Sequence, residues 1–153
     1  MIRRMRESDA EEAARLERQY FSVPWSKEQL LESLRNPQYL FLVAEEDGQV
    51  AGYAGLLRVL NEGDITNIVV DGAHRGKGLG TQLTAALLEE GQRLGMEEFT
   101  LEVRVSNQAA IRIYERLGFV KEGIRKKFYE RPAEDALIMW KRRKDATSNL
   151  LFC

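Results

Sequence analysis

The chain has 153 residues, of which 44% are hydrophobic and 31% are charged. This size and composition are typical of one globular domain that folds without a disulfide or a metal. The 23 basic and 24 acidic residues leave a net charge of -1. That balance disfavours a dedicated nucleic-acid-binding protein, which usually carries a basic excess.

Cysteine and histidine are too scarce for two further classes of site. Cys153 is the only cysteine and His74 the only histidine, so we expect neither an intrachain disulfide nor a zinc site, and no metal cofactor. No apolar run approaches the roughly 20 residues that span a bilayer. The opening residues also lack the apolar core of a secretory signal. We therefore expect a cytoplasmic protein without a membrane contact.

Two helices are predicted near the start of the chain from their caps. Ser8 and Glu11 form an S-x-x-E capping box, which predicts a helix through about Tyr20. Ser26 and Gln29 form a second cap, and this helix is expected to end before Pro37. A leucine-striped helix over 79–94 and a short helix over 108–117 follow, each ended by a glycine.

The strands follow from apolar runs and turn signals. Asp47-Gly48 tolerates the positive φ angles of a tight turn and predicts a hairpin between two of these runs. Strands are predicted over 2–5, 40–45, 50–59, 64–70, 98–104, 119–126 and 135–141. The crossover from residue 64 to residue 104 implies one parallel pair. We thus predict a mixed α/β domain over 1–144, mostly antiparallel and flanked by helices, with a tail over 145–153.

The segment HRGKGLGT, His74 to Thr81, lies between a predicted strand and a predicted helix. Its alternating glycines let the backbone approach a ligand closely, and the helix N-terminus that follows attracts an anion. Arg75 and Lys77 add positive charge, so a phosphate or pyrophosphate is the natural guest. The spacing fits neither a P-loop nor a dinucleotide-binding fingerprint. A tight strand-to-helix turn with no ligand is the alternative.

Three segments carry a resemblance to a known family. NIVVDGAHRGKGLG (Asn67 to Gly80) resembles the acetyl-CoA-binding motif of the GNAT superfamily of N-acetyltransferases. The segments Leu101 to Phe119 and Glu134 to Met139 resemble the RimI type, the ribosomal-protein-alanine N-acetyltransferases, as does the triplet Pro24-Trp25-Ser26. The likeness extends over about residues 1–142.

This resemblance implies the GNAT fold, in which a central pair of parallel strands splays apart. The pantetheine arm of acetyl-CoA would lie between those strands and pair with the backbone. The residues implied to hold this co-substrate are Ile68, Val69, Val70, Arg75, Gly76, Lys77, Gly78, Leu79, Gly80, Thr81 and Asn107.

The chain offers no credible covalent nucleophile, which favours direct attack of an amine on the thioester over an acyl-enzyme route. Glu102 alternates with Leu101 and Val103 in a predicted strand, so its side chain points away from theirs. The resemblance implies that Glu102 is the general base and that Tyr114 is the general acid. A solvent-facing carboxylate and a packing tyrosine are the alternatives.

Trp25 is a candidate for the lining of the acceptor site and equally suits a helix-start staple. The resemblance places Tyr129 and the pair Glu134-Asp135 in the wall of the acceptor channel, and an exposed position with no specific role is the alternative for the pair. It implies transfer of acetyl to a protein N-terminus, that of a ribosomal protein starting with alanine. Phe128 and Glu130 depart from the family pattern, which bears on the choice of acceptor. A small-molecule amine, such as a polyamine or an aminoglycoside, and a non-catalytic coenzyme A-binding module are the rival functions.

Overall fold

The computed structural model describes residues 1–143. The predicted tail over 145–153, including Cys153, lies outside the described residues, as does Lys144. The helices are α1 (Ala10–Tyr20), α2 (Lys27–Leu34), α3 (Leu79–Arg93) and α4 (Gln108–Arg116), with 3₁₀ turns at Glu7–Asp9 and Gly72–His74. The strands are β1 (Ile2–Arg4), β2 (Tyr39–Glu46), β3 (Gln49–Val59), β4 (Glu62–Val70), β5 (Glu98–Arg104), β6 (Val120–Tyr129) and β7 (Glu134–Lys141). No helix within residues 1–143 is both long enough and apolar enough to cross a bilayer.

All the strands of the described residues form one sheet in the order β1-β2-β3-β4-β5-β7-β6. Only β4 and β5 are parallel neighbours there, and every other pair is antiparallel. Asp47 and Gly48 make the β2–β3 turn with φ angles of 52° and 76°. The predicted mixed sheet with one parallel pair is confirmed.

The two predicted helix caps have different outcomes. Ser26 is the N-cap of α2, and its hydroxyl accepts from the Gln29 amide at 3.1 Å. The Ser8–Glu11 box is wrong, because a 3₁₀ turn precedes α1 and the carboxylate of Asp9 accepts the Arg6 amide at 2.8 Å. The guanidinium of Arg3 also binds Asp9, at 2.8 and 3.0 Å, and lowers the pKa of that carboxyl. A charged acceptor fixed by arginine therefore organises this turn in place of the serine.

Helices cover both faces of the sheet. Leu83 and Leu87 of α3 and Ile111 of α4 pack on one face, in a core that includes Phe99. Leu16 of α1 and residues of α2 pack on the other face. Alternate residues of β2, β3 and β4 therefore serve opposite cores, whereas β5 and β7, in the described part of the chain, contribute only to the core beneath α3.

The parallel pair separates after three residue pairs. Glu62–Asp64 pairs with Glu98–Thr100, and within the described residues that ladder then ends. On the other edge of β4, Gly55 pairs with Asn67 and Leu56 with Ile65, so Thr66 is the extra residue of a β-bulge. A bulge bends its strand and increases its twist, which turns the end of β4 away from β5. The expected splayed pair is present.

Candidate active site

A cavity of about 660 Å³ lies where β4 and β5 separate. Its walls come from the end of α1 and the loop after it, from both splayed strands, from α4 and from the turn between β6 and β7. Of the predicted site residues, those that line it are Trp25, Ile68, Glu102, Asn107, Tyr114 and Tyr129. The fold thus brings together side chains that are distant in sequence, whereas Glu134 and the glycine-rich segment lie outside this lining.

The glycine-rich segment forms an open cradle at the start of α3. Gly76 and Gly78 have φ angles of 84° and 76°, which side chains adopt only with strain. The first helical bond runs from the Gln82 amide to the Gly78 carbonyl at 3.0 Å. The amides of the three residues before Gln82 therefore precede the ladder and project from the positive end of the helix dipole. This backbone fits a pyrophosphate.

The two basic residues of the segment differ in their contacts. Arg75 donates from Nε to the Val70 carbonyl at 3.1 Å, and its guanidinium lies 4.6 Å from the ring centre of Tyr20. Arg75 therefore connects the cradle to β4 and α1. Lys77 is exposed at the tip of the loop, where its charge is available to an anion.

The end of β4 offers backbone groups to the cleft. Ile68, Val69 and Val70 face Ala54, Tyr53 and Gly52 of β3 along one edge. The opposite edge no longer pairs with β5 at this height in the described residues. Peptide groups directed there suit the amides of a pantetheine arm, in the manner of an added strand.

Glu102 projects into the cleft from β5. Its neighbours Leu101 and Val103 are buried in the core beneath α3, so the Glu102 side chain lies on the opposite face. Its Oε2 atom is buried and 3.7 Å from Arg125 Nε, too far for a hydrogen bond. The burial of Asp64 and the charge of Glu102 both raise the pKa of Asp64. Glu102 therefore keeps a buried oxygen that faces Arg125 as an ion pair and accepts no hydrogen bond from the described residues.

Tyr114 occupies the α4 wall of the same cavity. Burial raises the pKa of its phenol, and Tyr129 adds to the effect, so the hydroxyl keeps its proton well into alkaline solution. Its ring also packs edge-on against Phe119 at 5.9 Å between centroids. Asn107 caps the helix that carries it, because its Oδ1 accepts the Ala110 amide at 3.3 Å. The ring of Tyr114 therefore packs against Phe119 while its hydroxyl keeps a proton that it can donate.

Two aromatic residues predicted at the acceptor site, Trp25 and Tyr129, line the cavity. Trp25 packs edge-on against Tyr39 and Phe41, with centroids 6.1 and 6.3 Å apart. It therefore combines the staple-like packing and the cavity-lining position considered from the sequence. Tyr129 lies beneath the guanidinium of Arg104, 4.5 Å from its ring centre, and burial raises its pKa to about 12.

Glu134 lies outside the cavity lining and contacts Arg104, which is part of that lining. One of its oxygens accepts the Ser106 amide at 2.7 Å, and the other lies 3.3 Å from Arg104 Nη1. Both contacts lower the pKa of the Glu134 carboxyl, and the hydrogen bond from Ser106 has the larger effect. The carboxylate thus orients Arg104, which stacks on Tyr129. Its direct contact with an acceptor stays a prediction.

A buried polar network beside the cavity was missed in the sequence. Glu17 is 1% exposed and binds the Trp25 amide at 2.8 Å, while its other oxygen accepts the Tyr53 hydroxyl and, at 3.3 Å, Asn67 Nδ2. Burial raises the pKa of Glu17. The burial of Glu17 could have been predicted from helical spacing. Glu17 follows Ala10 and Ala13 at intervals of seven and four residues, so it shares their buried face.

The model of the acetyltransferase (GNAT) family matches residues 10–119. The chain belongs to this family and is an acetyl-transferring enzyme. GNAT acetyltransferases use acetyl-CoA as their co-substrate, which agrees with a pyrophosphate cradle beside a strand edge suited to pantetheine.

Several relatives share one named activity. The [ribosomal protein bS18]-alanine N-acetyltransferase of Escherichia coli (strain K12) is 37% identical over 86% of this chain and 90% of its own length. A Bacillus subtilis protein provisionally given the same activity is 39% identical over 91% of this chain and 93% of its own. The crystal structure of the E. coli ribosomal-protein-S18-alanine N-acetyltransferase superposes with a TM-score of 0.84 and 34% identity, covering 92% of this chain and 91% of that one.

Proposed function

We propose that this acetyltransferase transfers acetyl from acetyl-CoA to the N-terminal amine of a protein, specifically the alanine at the N-terminus of a ribosomal protein. The observation that carries the proposal is the cavity shared by Glu102 and Tyr114. The carboxylate has an oxygen that accepts no hydrogen bond among the described residues, and the phenol keeps its proton. The named activity of the E. coli and B. subtilis relatives supports the choice of acceptor.

The residues proposed to hold acetyl-CoA are the β4 backbone from Ile68 to Val70, the cradle from Arg75 to Thr81, and Asn107. The β4 edge would pair with the pantetheine amides, and the cradle amides with the pyrophosphate. Bound there, the co-substrate supplies a thioester whose carbonyl carbon accepts the amine. Backbone amides near Val70 would stabilise the oxygen of that carbonyl as it gains negative charge.

Glu102 would take one proton from the acceptor ammonium, directly or through a water, and so free its lone pair for attack. Tyr114 would donate its proton to the sulfur as the carbon–sulfur bond breaks. Tyr114 then regains a proton from the amine nitrogen as the amide forms. The sum converts an ammonium and a thioester into an amide, a thiol and one proton, which Glu102 passes to solvent.

The ordinary pKa values of amines favour an N-terminus over lysine. An α-amine with a pKa near 8 is about 10% neutral at pH 7, whereas a lysine near 10.4 is roughly 0.04% neutral. Removing a proton from an N-terminal ammonium therefore costs a single carboxylate base far less free energy than removing one from a lysine ammonium.

The test is coenzyme A release with a panel of amines. The panel holds peptides with free N-terminal Ala, Ser, Met or Gly, an N-terminally blocked peptide with an internal lysine, and spermidine. We expect turnover only with the free N-termini, led by alanine, and none with an N-acetylated alanine peptide as the control. Turnover with spermidine or lysine alone would contradict the proposed acceptor, and acetyl-CoA binding without any turnover would favour a coenzyme A-binding module.

A further inference from the structure

Three polar side-chain atoms at the splay are buried without a hydrogen-bond partner among the described residues. They are Thr66 Oγ1, Asn67 Oδ1 and Glu102 Oε2, and all three residues line the cavity. Buried polar atoms are normally paired, so a group of unpaired ones beside a cavity needs partners from a bound molecule or from ordered water. The mechanism above uses only Glu102, so the oxygens on β4 need another explanation.

The orientation of the Asn67 amide is fixed by its neighbours. Its Nδ2 donates to the Tyr53 hydroxyl at 3.1 Å and to Glu17 Oε2 at 3.3 Å. Both partners accept there, since the Tyr53 hydroxyl uses its own proton on Glu17. An amide turned the other way would direct its oxygen at those acceptors. The network therefore leaves Oδ1 as the free end of a side chain that is only 5% exposed.

Asn67 and Glu102 also lie on the same face of the sheet. Ile68 packs in the core beneath α3, whereas Asn67 contacts Glu17 of α1 on the other face. Leu101 and Val103 pack in the α3 core as well, so Glu102 shares the face of Asn67. An amine brought to Glu102 therefore arrives on the side where the Asn67 oxygen is free.

We propose that Asn67 is an acceptor-binding residue whose carboxamide oxygen takes a hydrogen bond from the α-ammonium of the acceptor peptide. Glu17 and Tyr53 are positioning residues that act through the Asn67 amide. This inference rests on the proposed function, because it needs an acceptor with a primary amine at its N-terminus. An ammonium has three N–H donors, and three oxygens at the splay, from Thr66, Asn67 and Glu102, accept no hydrogen bond from the described residues.

The chemistry of the step explains why a neutral amide belongs there. A second carboxylate at Asn67 would hold the ammonium proton too firmly and would compete with Glu102 for it. A carboxamide oxygen orients the nitrogen without accepting its proton. It also continues to accept an N–H bond after Glu102 has deprotonated the amine, so the nitrogen stays in place for attack.

The experiment compares Asn67→Ala with Asn61→Ala, a matched change at an exposed asparagine in the β3–β4 turn. With an alanine-terminal peptide at pH 7, we expect Asn67→Ala to raise the peptide KM about tenfold, as for loss of one bond to a charged group. We expect kcat and the acetyl-CoA Kd, measured by calorimetry, to change less than about threefold, since both depend on other groups. Asn61→Ala should match the parent protein in all three.

The pH dependence separates recognition of the ammonium from a structural role. The KM penalty of Asn67→Ala should shrink as pH rises past about 8, because the amine then becomes neutral and its bond to the oxygen weaker. Tyr53→Phe, which removes one anchor of the amide and keeps the ring, should raise the peptide KM by a smaller factor. It thereby tests the inference even if Asn67→Ala folds poorly.

Each result decides between the two proposals. An unchanged peptide KM in both variants, or a rise in KM that is equal at every pH, would overturn the role of Asn67 while leaving the proposed function in place. Absence of turnover of any free N-terminus by the parent protein would overturn the proposed function and, with it, this inference.

Discussion

The two sides of the cleft are built by different means. The proposed co-substrate side is one continuous stretch, from Ile68 to Thr81, and offers mainly backbone groups. The proposed acceptor side is assembled from side chains on four separate segments: Trp25, Asn67, Glu102 and Tyr129. Local sequence can specify a backbone cradle, whereas only the complete fold can assemble the acceptor wall. The two sides should therefore respond differently to substitution.

The largest effect is expected at the acceptor wall, for Glu102→Gln. Loss of a general base lowers the rate by about 10²- to 10⁴-fold, and we expect kcat to fall in that range with acetyl-CoA affinity retained. Glu98→Gln on the same strand is the matched control, since Glu98 lies outside the cavity lining. A kinetic assay at saturating acetyl-CoA measures both. Near-parent activity of Glu102→Gln would show that the base lies elsewhere.

Tyr114→Phe should follow, with a fall in kcat of about 100-fold, the lower end of the range for loss of a general acid or base, because the departing thiolate loses its proton donor. Burial raises the pKa of Tyr114, so the parent rate should rise with pH as the acceptor amine deprotonates and show no fall before about pH 10. Stopped-flow rates across that range test the point. Tyr39→Phe, which keeps its ring packing, is the control, and a decline beginning near pH 8 would contradict the assignment.

The co-substrate side is tested by two left-handed glycines. A Cβ added at Gly76 or Gly48 would meet no atom of residues 1–143 within 4 Å, and the φ angles of these glycines are +84° and +76°. Each alanine variant should therefore lose about 1 kcal/mol of unfolding free energy from strain alone. Only Gly76→Ala should also weaken acetyl-CoA binding, by about 5- to 10-fold, as measured by calorimetry. Equal acetyl-CoA affinity in the two variants would contradict the cradle.

The smallest effect is expected for Glu134→Gln, which acts on the acceptor side indirectly. Its bond to Arg104 is partly exposed, and such ion pairs contribute little because solvent screens them. We therefore expect the peptide KM to rise only about two- to threefold, with acetyl-CoA affinity unchanged. A tenfold rise would instead indicate direct contact between Glu134 and the acceptor. Glu46→Gln, in the β2–β3 hairpin, is the control.

Much of the fold was accessible from sequence because its signals are local. Apolar runs, the Asp47-Gly48 turn and the Ser26 cap each depend on a few adjacent residues, and the structure has all of these elements. The Ser8 cap failed because its competitor, Asp9, is held by Arg3 through folding. A local motif cannot report a partner that arrives from another element.

The same limit applies to the candidate site. The glycine spacing and the alternation around Glu102 are local patterns, so the sequence alone could place the cradle and the side chain of Glu102. The network of Glu17, Tyr53 and Asn67 joins a helix and two strands, and the separate segments contain no pattern that pairs them. The contact of Arg104 with Tyr129 likewise depends on β5 and the β6–β7 turn meeting in space.

The short seam between β4 and β5 has a consequence for the motions of the molecule. Only three residue pairs join these strands in the described residues. The sheet therefore consists of two parts, β1–β4 and β5–β7, that are joined by a short parallel ladder. In the proposed complex, acetyl-CoA would fill the gap and bond to the free edge of β4. Once acetyl-CoA binds, amide hydrogens near Val70 should exchange with deuterated solvent more slowly. The two parts of the sheet should then move less relative to each other.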